Sequence, residues 1–308
     1  MKTELTEGWQ FRQAGKEQWF KAVVPGCVHT DLGANKQIED PFYRTNEKEQ
    51  QWIGEKDWVY HNTFTVNDKI FAMNRIHLFF KGLDTYAEVE LNGNLILKAD
   101  NMFREWRVDV KPFLKGGENN LKVLFRSVFT ENLPKYENAP FRLQAFDNND
   151  QAEVKINMYS RKAGYHFGWD WGPRLITSGI WRPVIMEGWN SARISDLHII
   201  QEQIKKSEAQ LRAEIEVDCE IPGDVVFAIV NGGEVLVQKQ LSLKKGLKTY
   251  SVEFNIENPK LWWSNGLGEP YLYNLVGVIE KDGVVLDKKE VNVGIRTLEV
   301  VTKKDNHG

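Results

Sequence analysis

Short apolar segments that alternate with polar residues and end at turn residues constrain the fold of this chain more than any other feature. The clearest example is residues 87–91 and 95–97, which are separated by Asn92-Gly93. An Asn-Gly pair between alternating apolar segments is the strongest short-range signal for a β-hairpin. Similar segments recur through 19–126 and through 213–293, without amphipathic helices between them. The pattern predicts β-sandwiches rather than alternating β–α units.

The length of 308 residues predicts two domains. We place a first β domain at 1–190, a second at 191–300, and the start of a linker at 301–308. The second has about seven short strands in about 100 residues, which fits an immunoglobulin-like sandwich without its disulfide. Between these strand-rich regions, residues 131–153 are polar and contain prolines. We predict a long loop there, with 133–150 among the most mobile residues.

Composition and charge argue against several classes of protein. The net charge of −3 gives no basic surface for nucleic acid, and no apolar run reaches 18 residues, so no membrane span is expected. The two cysteines, Cys27 and Cys219, lie in separate halves, so we expect no disulfide and no thiolate metal site. The histidines lack metal-ligand spacing, and we expect no metal and no cofactor. Without a visible signal peptide or an Asn-X-Ser/Thr acceptor, we expect a bacterial protein of the periplasm or cytoplasm.

The most unusual stretch is residues 165–174, Tyr-His-Phe-Gly-Trp-Asp-Trp-Gly-Pro-Arg. A regular strand would place Trp169 and Trp171 on one face and Asp170 on the other. The flanking glycines and proline break a regular ladder, so we predict a bulge or a tight loop. Aromatic faces stack on sugar C–H groups, and carboxylates accept hydrogen bonds from sugar hydroxyls. On residue types alone, a tryptophan-rich core strand with Asp170 bound to backbone donors is an equal alternative.

Four groups of residues, spread over nearly the whole chain, carry a resemblance to known proteins. They are 24–32 (VPGCVHTDL) with 40–43 (DPFY), 46–47 (NE), 51–53 (QWI) and 57–60 (DWVY); 81–93 (KGLDTYAEVELNG); 161–162 (RK) with 166–173 (HFGWDWGP) and 179–182 (GIWR); and 261–273 (LWWSNGLGEPYLY) with 294–296 (GIR). Together they resemble glycoside hydrolase family 2, and the Trp-Asp-Trp-Gly motif is typical of its β-mannosidase members.

The resemblance implies an all-β chain, with a jelly-roll (galactose-binding-like) sandwich followed by an immunoglobulin-like sandwich. It implies that a (β/α)8 barrel carrying both catalytic glutamates follows, so no catalytic residue is expected here and the chain alone should be inactive. Asp170 should bind the terminal sugar of a β-mannoside oligosaccharide or glycoside. Of Trp169 and Trp171, one should line the sugar pocket and the other should anchor the loop. The expected partners are this substrate and the chain's own barrel.

Other interpretations remain open at this point. The chain could be a stand-alone carbohydrate-binding module, or part of an exo-β-glucosaminidase of similar architecture. His166 is interpreted as a packed, hydrogen-bonded histidine, and Asn46-Glu47 as turn residues. His29 with Asp31 could form a base and its orienting group, but no nucleophile signature accompanies them. We therefore interpret both as structural.

Overall fold

The structure, a computed structural model, describes residues 1–141, 143, 146 and 150–304. The chain divides into two compact units, Met1–Gly188 and Trp189–Gly308, each with its own hydrophobic core. Strands dominate both units, so the predicted all-β class is confirmed. Residues 142, 144, 145 and 147–149 of the predicted loop and 305–308 of the predicted linker lie outside the described residues.

The described part of the first unit contains two antiparallel sheets. One sheet has the strand order β1-β10-β5-β8 and the other has the order β3-β2-β4-β9-β6-β7. The strands are β1 (Lys2–Glu4), β2 (Gln10–Gln13), β3 (Phe20–Lys21), β4 (Trp58–Thr65), β5 (Arg75–Phe80), β6 (Tyr86–Leu91), β7 (Asn94–Asp100), β8 (Trp106–Asp109), β9 (Glu118–Arg126) and β10 (Val184–Trp189).

The hairpin predicted from Asn92-Gly93 is confirmed as the connection between β6 and β7. Asn92 and Gly93 have φ values of 52° and 81°. Two positive φ values are what a two-residue type I′ turn requires, and asparagine and glycine adopt them at little cost. The local sequence therefore fixes this register.

Large aromatic side chains fill the core of the first unit. The ring of Tyr60 lies 5.7 Å from the ring of Phe11 and 5.7 Å from that of Phe125, so β2, β4 and β9 interlock through their side chains. All three residues are fully buried. Burying one such side chain contributes about 1.5–3 kcal/mol, so this cluster stabilises the sheet that supports the loops.

Short helices connect the strands, and one of them corrects a prediction. They are α1 (Val28–Ala34), α2 (Asn46–Glu49), α3 (Asp68–Phe71), α4 (Val128–Glu137) and the 3-10 turns Gln51–Glu55, Lys111–Phe113, Asn157–Tyr159 and Gly164–Phe167.

The prediction of a loop over 131–153 is wrong for its first residues, because residues 131–137 belong to α4. Ser127 caps this helix, and the buried Asn132 accepts a 2.6 Å hydrogen bond from the Tyr86 hydroxyl. Tertiary contacts therefore stabilise a helix that could not be predicted from the sequence, because the segment is polar and contains Pro134.

In its described residues, 189–304, the second unit has seven antiparallel strands in two sheets, as an immunoglobulin-like sandwich requires. The sheet orders are β11-β12-β15 and β14-β13-β16-β17. The strands are β11 (Ala192–Ile204), β12 (Glu208–Cys219), β13 (Gly223–Asn231), β14 (Glu234–Leu243), β15 (Gly246–Glu257), β16 (Tyr273–Lys281) and β17 (Val284–Val293). Both cysteines, Cys27 and Cys219, are free thiols. In the described ranges, no helix is long and apolar enough to cross a membrane.

Candidate functional site

The Trp-Asp-Trp-Gly motif forms a tight turn at the surface of the first unit. The Trp169 N–H donates to the Gly172 carbonyl at 3.1 Å, and the Gly172 N–H donates back to the Trp169 carbonyl at 3.4 Å. This reciprocal pair leaves Asp170 and Trp171 as the two residues at the tip. The predicted tight loop is therefore confirmed, and it directs the tip away from the core.

Gly168 makes the approach to this turn possible. Its φ of +90° is strained for any residue with a side chain. A Cβ atom there would also lie 2.7 Å from the side chain of Gln151. Gln151 uses this space to donate a 2.6 Å hydrogen bond from its side-chain amide to the Trp169 carbonyl. The glycine thus lets a neighbouring segment hold one end of the turn.

The turn combines an exposed carboxylate with two tryptophan rings. Asp170 is exposed, and within the part of the chain that the structure describes it forms no hydrogen bond or ion pair through its side chain. Trp171 is 73% exposed, and its ring lies 5.8 Å from the ring of the half-buried Trp169. The alternative of a core strand in which Asp170 binds backbone donors is therefore wrong. The three residues singled out from the sequence come together.

A cavity of about 320 Å³ opens to solvent beside the turn. Residues 169–173 form one wall, and the other wall is formed by Pro41, Phe42, Arg44 and Glu47. Sequence reasoning missed this second wall as a site and interpreted Glu47 as a turn residue. Pro41, Phe42 and Glu47 belong to the first group that carried the family resemblance, which was the available signal for them, whereas Arg44 lies in none of the four groups.

Three hydrogen bonds join the two walls through Arg174. The Arg174 N–H donates to the Glu47 carboxylate at 2.6 Å, and the Gln51 side-chain amide donates to the Arg174 carbonyl at 2.8 Å. The Arg174 guanidinium donates to the Gln51 side-chain oxygen at 2.6 Å. Glu47 therefore fixes the distance between α2 and the turn rather than acting only as a turn residue.

A buried ion pair holds the base of the loop that carries the turn. The Lys162 ammonium donates to both carboxylate oxygens of Asp84, at 2.5 and 2.6 Å, and to the Thr177 carbonyl at 2.8 Å. The Thr177 hydroxyl donates to Asp84 at 2.6 Å. Since Lys162 and Thr177 flank residues 163–176, Asp84 draws both ends of the loop together.

The electrostatics of this base keep Asp84 ionised. Burial opposes its ionisation, but Lys162, together with the hydrogen bonds from Lys162 and Thr177, outweighs burial and holds the pKa of Asp84 below its usual value. Burial, and then the Lys162 charge, lower the pKa of His29 and of His166 to about 4. Both histidines are therefore neutral at pH 7.

Neither histidine has the geometry of an acid/base group at the turn. The Nδ1 atom of His166 lies 3.2 Å from the Thr177 hydroxyl, and within the described residues the buried Nδ1 atom of His29 has no hydrogen-bond partner. Asp31 accepts instead from the Val23 N–H at 2.9 Å and from the Tyr60 hydroxyl at 2.7 Å. Burial raises the pKa of Asp31 to about 6. In the described ranges, no group of three or more acidic, histidine or cysteine side chains could hold a metal ion.

Comparisons with known families match both units. Residues 9–182 match a family described as glycosyl hydrolase 2 galactose-binding domain-like, and residues 192–296 match a family described as glycosyl hydrolases family 2. The first match alone covers more than half of the chain.

Curated relatives and a solved structure agree with these matches. The chain is 35% identical to beta-mannosidase B of Emericella nidulans and 36% identical to that of Aspergillus niger, with 99% of the chain aligned in each case. It spans only 36% of the length of these relatives. The beta-D-mannosidase of Dictyoglomus thermophilum is 38% identical, with a TM-score of 0.91 over 100% of this chain and 38% of that one.

A more distant structure shares the fold alone. The exo-chitosanase of Amycolatopsis orientalis is 19% identical, with a TM-score of 0.71 over 96% of this chain and 33% of that one. At this identity, the likeness says nothing about which sugar a site would accept.

Proposed function

The chain belongs to glycoside hydrolase family 2, and from this membership we propose that it is the amino-terminal, non-catalytic part of a retaining exo-β-mannosidase. In this proposal, Asp170, Trp169 and Trp171 contribute to the pocket for the terminal mannose. The observation that carries the proposal is the exposed carboxylate of Asp170, which has no partner among the described residues and lies at the tip of a turn that also carries Trp169 and Trp171. The β-mannosidase names of the relatives support the choice of sugar.

The chemistry of the turn suits recognition rather than bond cleavage. A carboxylate accepts hydrogen bonds from sugar hydroxyls, and each bond to a charged group contributes about 1.5–3 kcal/mol. The exposed ring of Trp171 offers a face for stacking on sugar C–H groups. A retaining glycosidase needs two carboxyl groups about 5–5.5 Å apart. We assign that pair to a catalytic barrel in the remainder of the protein, which is also the proposed partner of this chain.

The test compares the full-length gene product with the 308-residue chain on p-nitrophenyl β-D-mannopyranoside. We expect the full-length protein to release mannose with retention of anomeric configuration, as followed by NMR, and the chain alone to show no turnover. Turnover by the chain alone that is lost on substituting one of its residues would contradict the proposal.

The same assay separates the two other candidates. Preference of the full-length protein for a β-glucosaminide would identify an exo-β-glucosaminidase. The openness of the cavity and the exposure of Trp171 are also compatible with a stand-alone carbohydrate-binding module. A gene product that binds mannosides without hydrolysing any glycoside would identify such a module.

A further inference from the structure

We propose that Arg44 and Phe42, on the wall opposite the turn, bind the same glycoside as Asp170. The site would then have a cationic donor and a second aromatic face in addition to its carboxylate. This inference rests on the proposed function and extends it to a segment far from the Trp-Asp-Trp-Gly motif in sequence.

The charge of Arg44 is available for a ligand. Its guanidinium lies over the ring of Tyr43, 5.2 Å from the ring centroid, and the side chain is exposed. Within the described residues, it forms no hydrogen bond or ion pair, although Asp170 lines the same cavity. The two opposite charges therefore lie too far apart to pair, which leaves room for a ligand between them.

Asp170 and Arg44 are complementary to a sugar hydroxyl, which can both donate and accept a hydrogen bond. A carboxylate only accepts hydrogen bonds and a guanidinium only donates them. A hydroxyl placed between Asp170 and Arg44 could donate to the first and accept from the second. Both bonds would be charge-assisted, which makes them shorter and stronger than bonds between neutral groups.

Phe42 adds an aromatic surface to the same wall. Its side chain is 74% exposed, so it contributes little to the core. A single exposed aromatic residue needs no explanation. Phe42, however, lines one cavity of about 320 Å³ with the 73% exposed Trp171, the Asp170 carboxylate and the Arg44 guanidinium. Aromatic faces together with an anionic hydrogen-bond acceptor and a cationic hydrogen-bond donor suit a ligand that has apolar faces and hydroxyl edges.

The second wall is held in place, as a binding surface requires. The Phe42 N–H donates to the Asp40 carboxylate at 2.9 Å, and the Asn46 side-chain amide donates to the Asp40 carbonyl at 2.8 Å. The Glu47 carboxylate accepts a 2.6 Å hydrogen bond from the N–H of Arg174, the residue that directly follows the opposite wall in sequence. Because these contacts order the segment before a ligand arrives, little ordering entropy opposes binding.

The test measures kcat/KM of the full-length protein on p-nitrophenyl β-D-mannopyranoside and on β-1,4-mannobiose. Arg44→Gln should lower kcat/KM at least about tenfold on one substrate or both, since it removes a charge-assisted bond. The matched control is Arg182→Gln, because the exposed Arg182 likewise lies 4.2 Å over an aromatic ring, that of Trp181, but outside the cavity. Phe42→Ala is matched by Phe103→Ala, because Phe103 is 59% exposed and does not line the cavity.

Each pattern of results decides the matter. A loss on both substrates assigns Arg44 to the terminal mannose, and a loss on mannobiose alone assigns it to the leaving sugar; either result supports the inference. If Arg44→Gln and Phe42→Ala match their controls while Asp170→Asn lowers kcat/KM, the inference is wrong and the proposed function stands. An inactive wild-type protein overturns both.

Discussion

Replacing Lys162 with methionine tests how the loop carrying Asp170 is held. The side chain of Lys162 is 0% exposed and that of its partner Asp84 is 2% exposed. Lys162→Met keeps an unbranched side chain, shorter by the ammonium group alone, and removes both bonds to the carboxylate. Removing one partner of a buried ion pair costs about 3–5 kcal/mol, because the other charge remains buried without its counter-charge.

The remaining contacts of Asp84 place the cost at the lower end of that range. The Thr177 hydroxyl still donates to the carboxylate at 2.6 Å, so we expect a loss of about 3 kcal/mol. For a unit of this size, each kcal/mol lowers Tm by about 2–4 °C, which predicts a decrease of about 6–12 °C. Adding Asp84→Asn should recover part of the loss, because the two substitutions act on one interaction.

The assay is a thermal melt of the 308-residue chain, followed by calorimetry so that the transition of the first unit can be identified. The control is Lys98→Met, since Lys98 pairs with Glu88 at 3.2 Å but its side chain is 66% exposed. Exposed pairs contribute about 0–1 kcal/mol, so this variant should melt close to wild type. A Tm of Lys162→Met equal to that of Lys98→Met would refute the reasoning.

Two further predictions concern pH and backbone conformation. Below pH 6.5 the unfolded chain protonates His29 and His166 before the folded chain does, so the free energy of unfolding should fall as pH drops from 6.5 towards 4. Asp31, with its pKa raised to about 6, opposes part of this fall. Urea titrations at pH 7 and pH 5 measure the free energy of unfolding, which should decrease less between these two pH values for His166→Gln than for the wild type. Gly168→Ala should lower the free energy of unfolding by at least about 1 kcal/mol, because Gly168 has a positive φ and a Cβ atom there would contact Gln151. Gly164→Ala should lower it less, because a Cβ atom at position 164 has no neighbouring atom within 4 Å. Equal Tm values for the two alanine variants would contradict this explanation.

Local signals made much of the fold predictable. Asn92-Gly93 specifies its hairpin through the backbone preferences of two adjacent residues. The glycines around Trp169–Trp171 likewise predicted a tight loop, because they act on their own backbone. By contrast, β14 lies at the edge of its sheet and is mostly exposed, so its side chains carry little of the alternation that reveals a strand.

Features that depend on distant contacts could not be predicted. The hydrogen bonds between Gln51 and Arg174 join residues 123 positions apart, and those between Asp84 and Lys162 join residues 78 positions apart. No local preference indicates such pairs. For this reason the sequence identified the wall that contains Asp170 but missed the wall that contains Arg44, and it could not show that Asp84 holds the base of the loop.

The most direct test of the account is Asp170→Asn in the full-length protein, with kcat/KM on p-nitrophenyl β-D-mannopyranoside and Tm measured on the same preparation. Asparagine keeps the shape and one acceptor but loses the charge, and about 1.5–3 kcal/mol per charged bond corresponds to at least a tenfold change in rate. Asp282→Asn, at another exposed hairpin turn, is the control. We predict that kcat/KM falls more than tenfold for Asp170→Asn alone, with Tm unchanged in both variants. A wild-type kcat/KM for Asp170→Asn, whatever its Tm, would contradict the assignment of Asp170 to the sugar pocket.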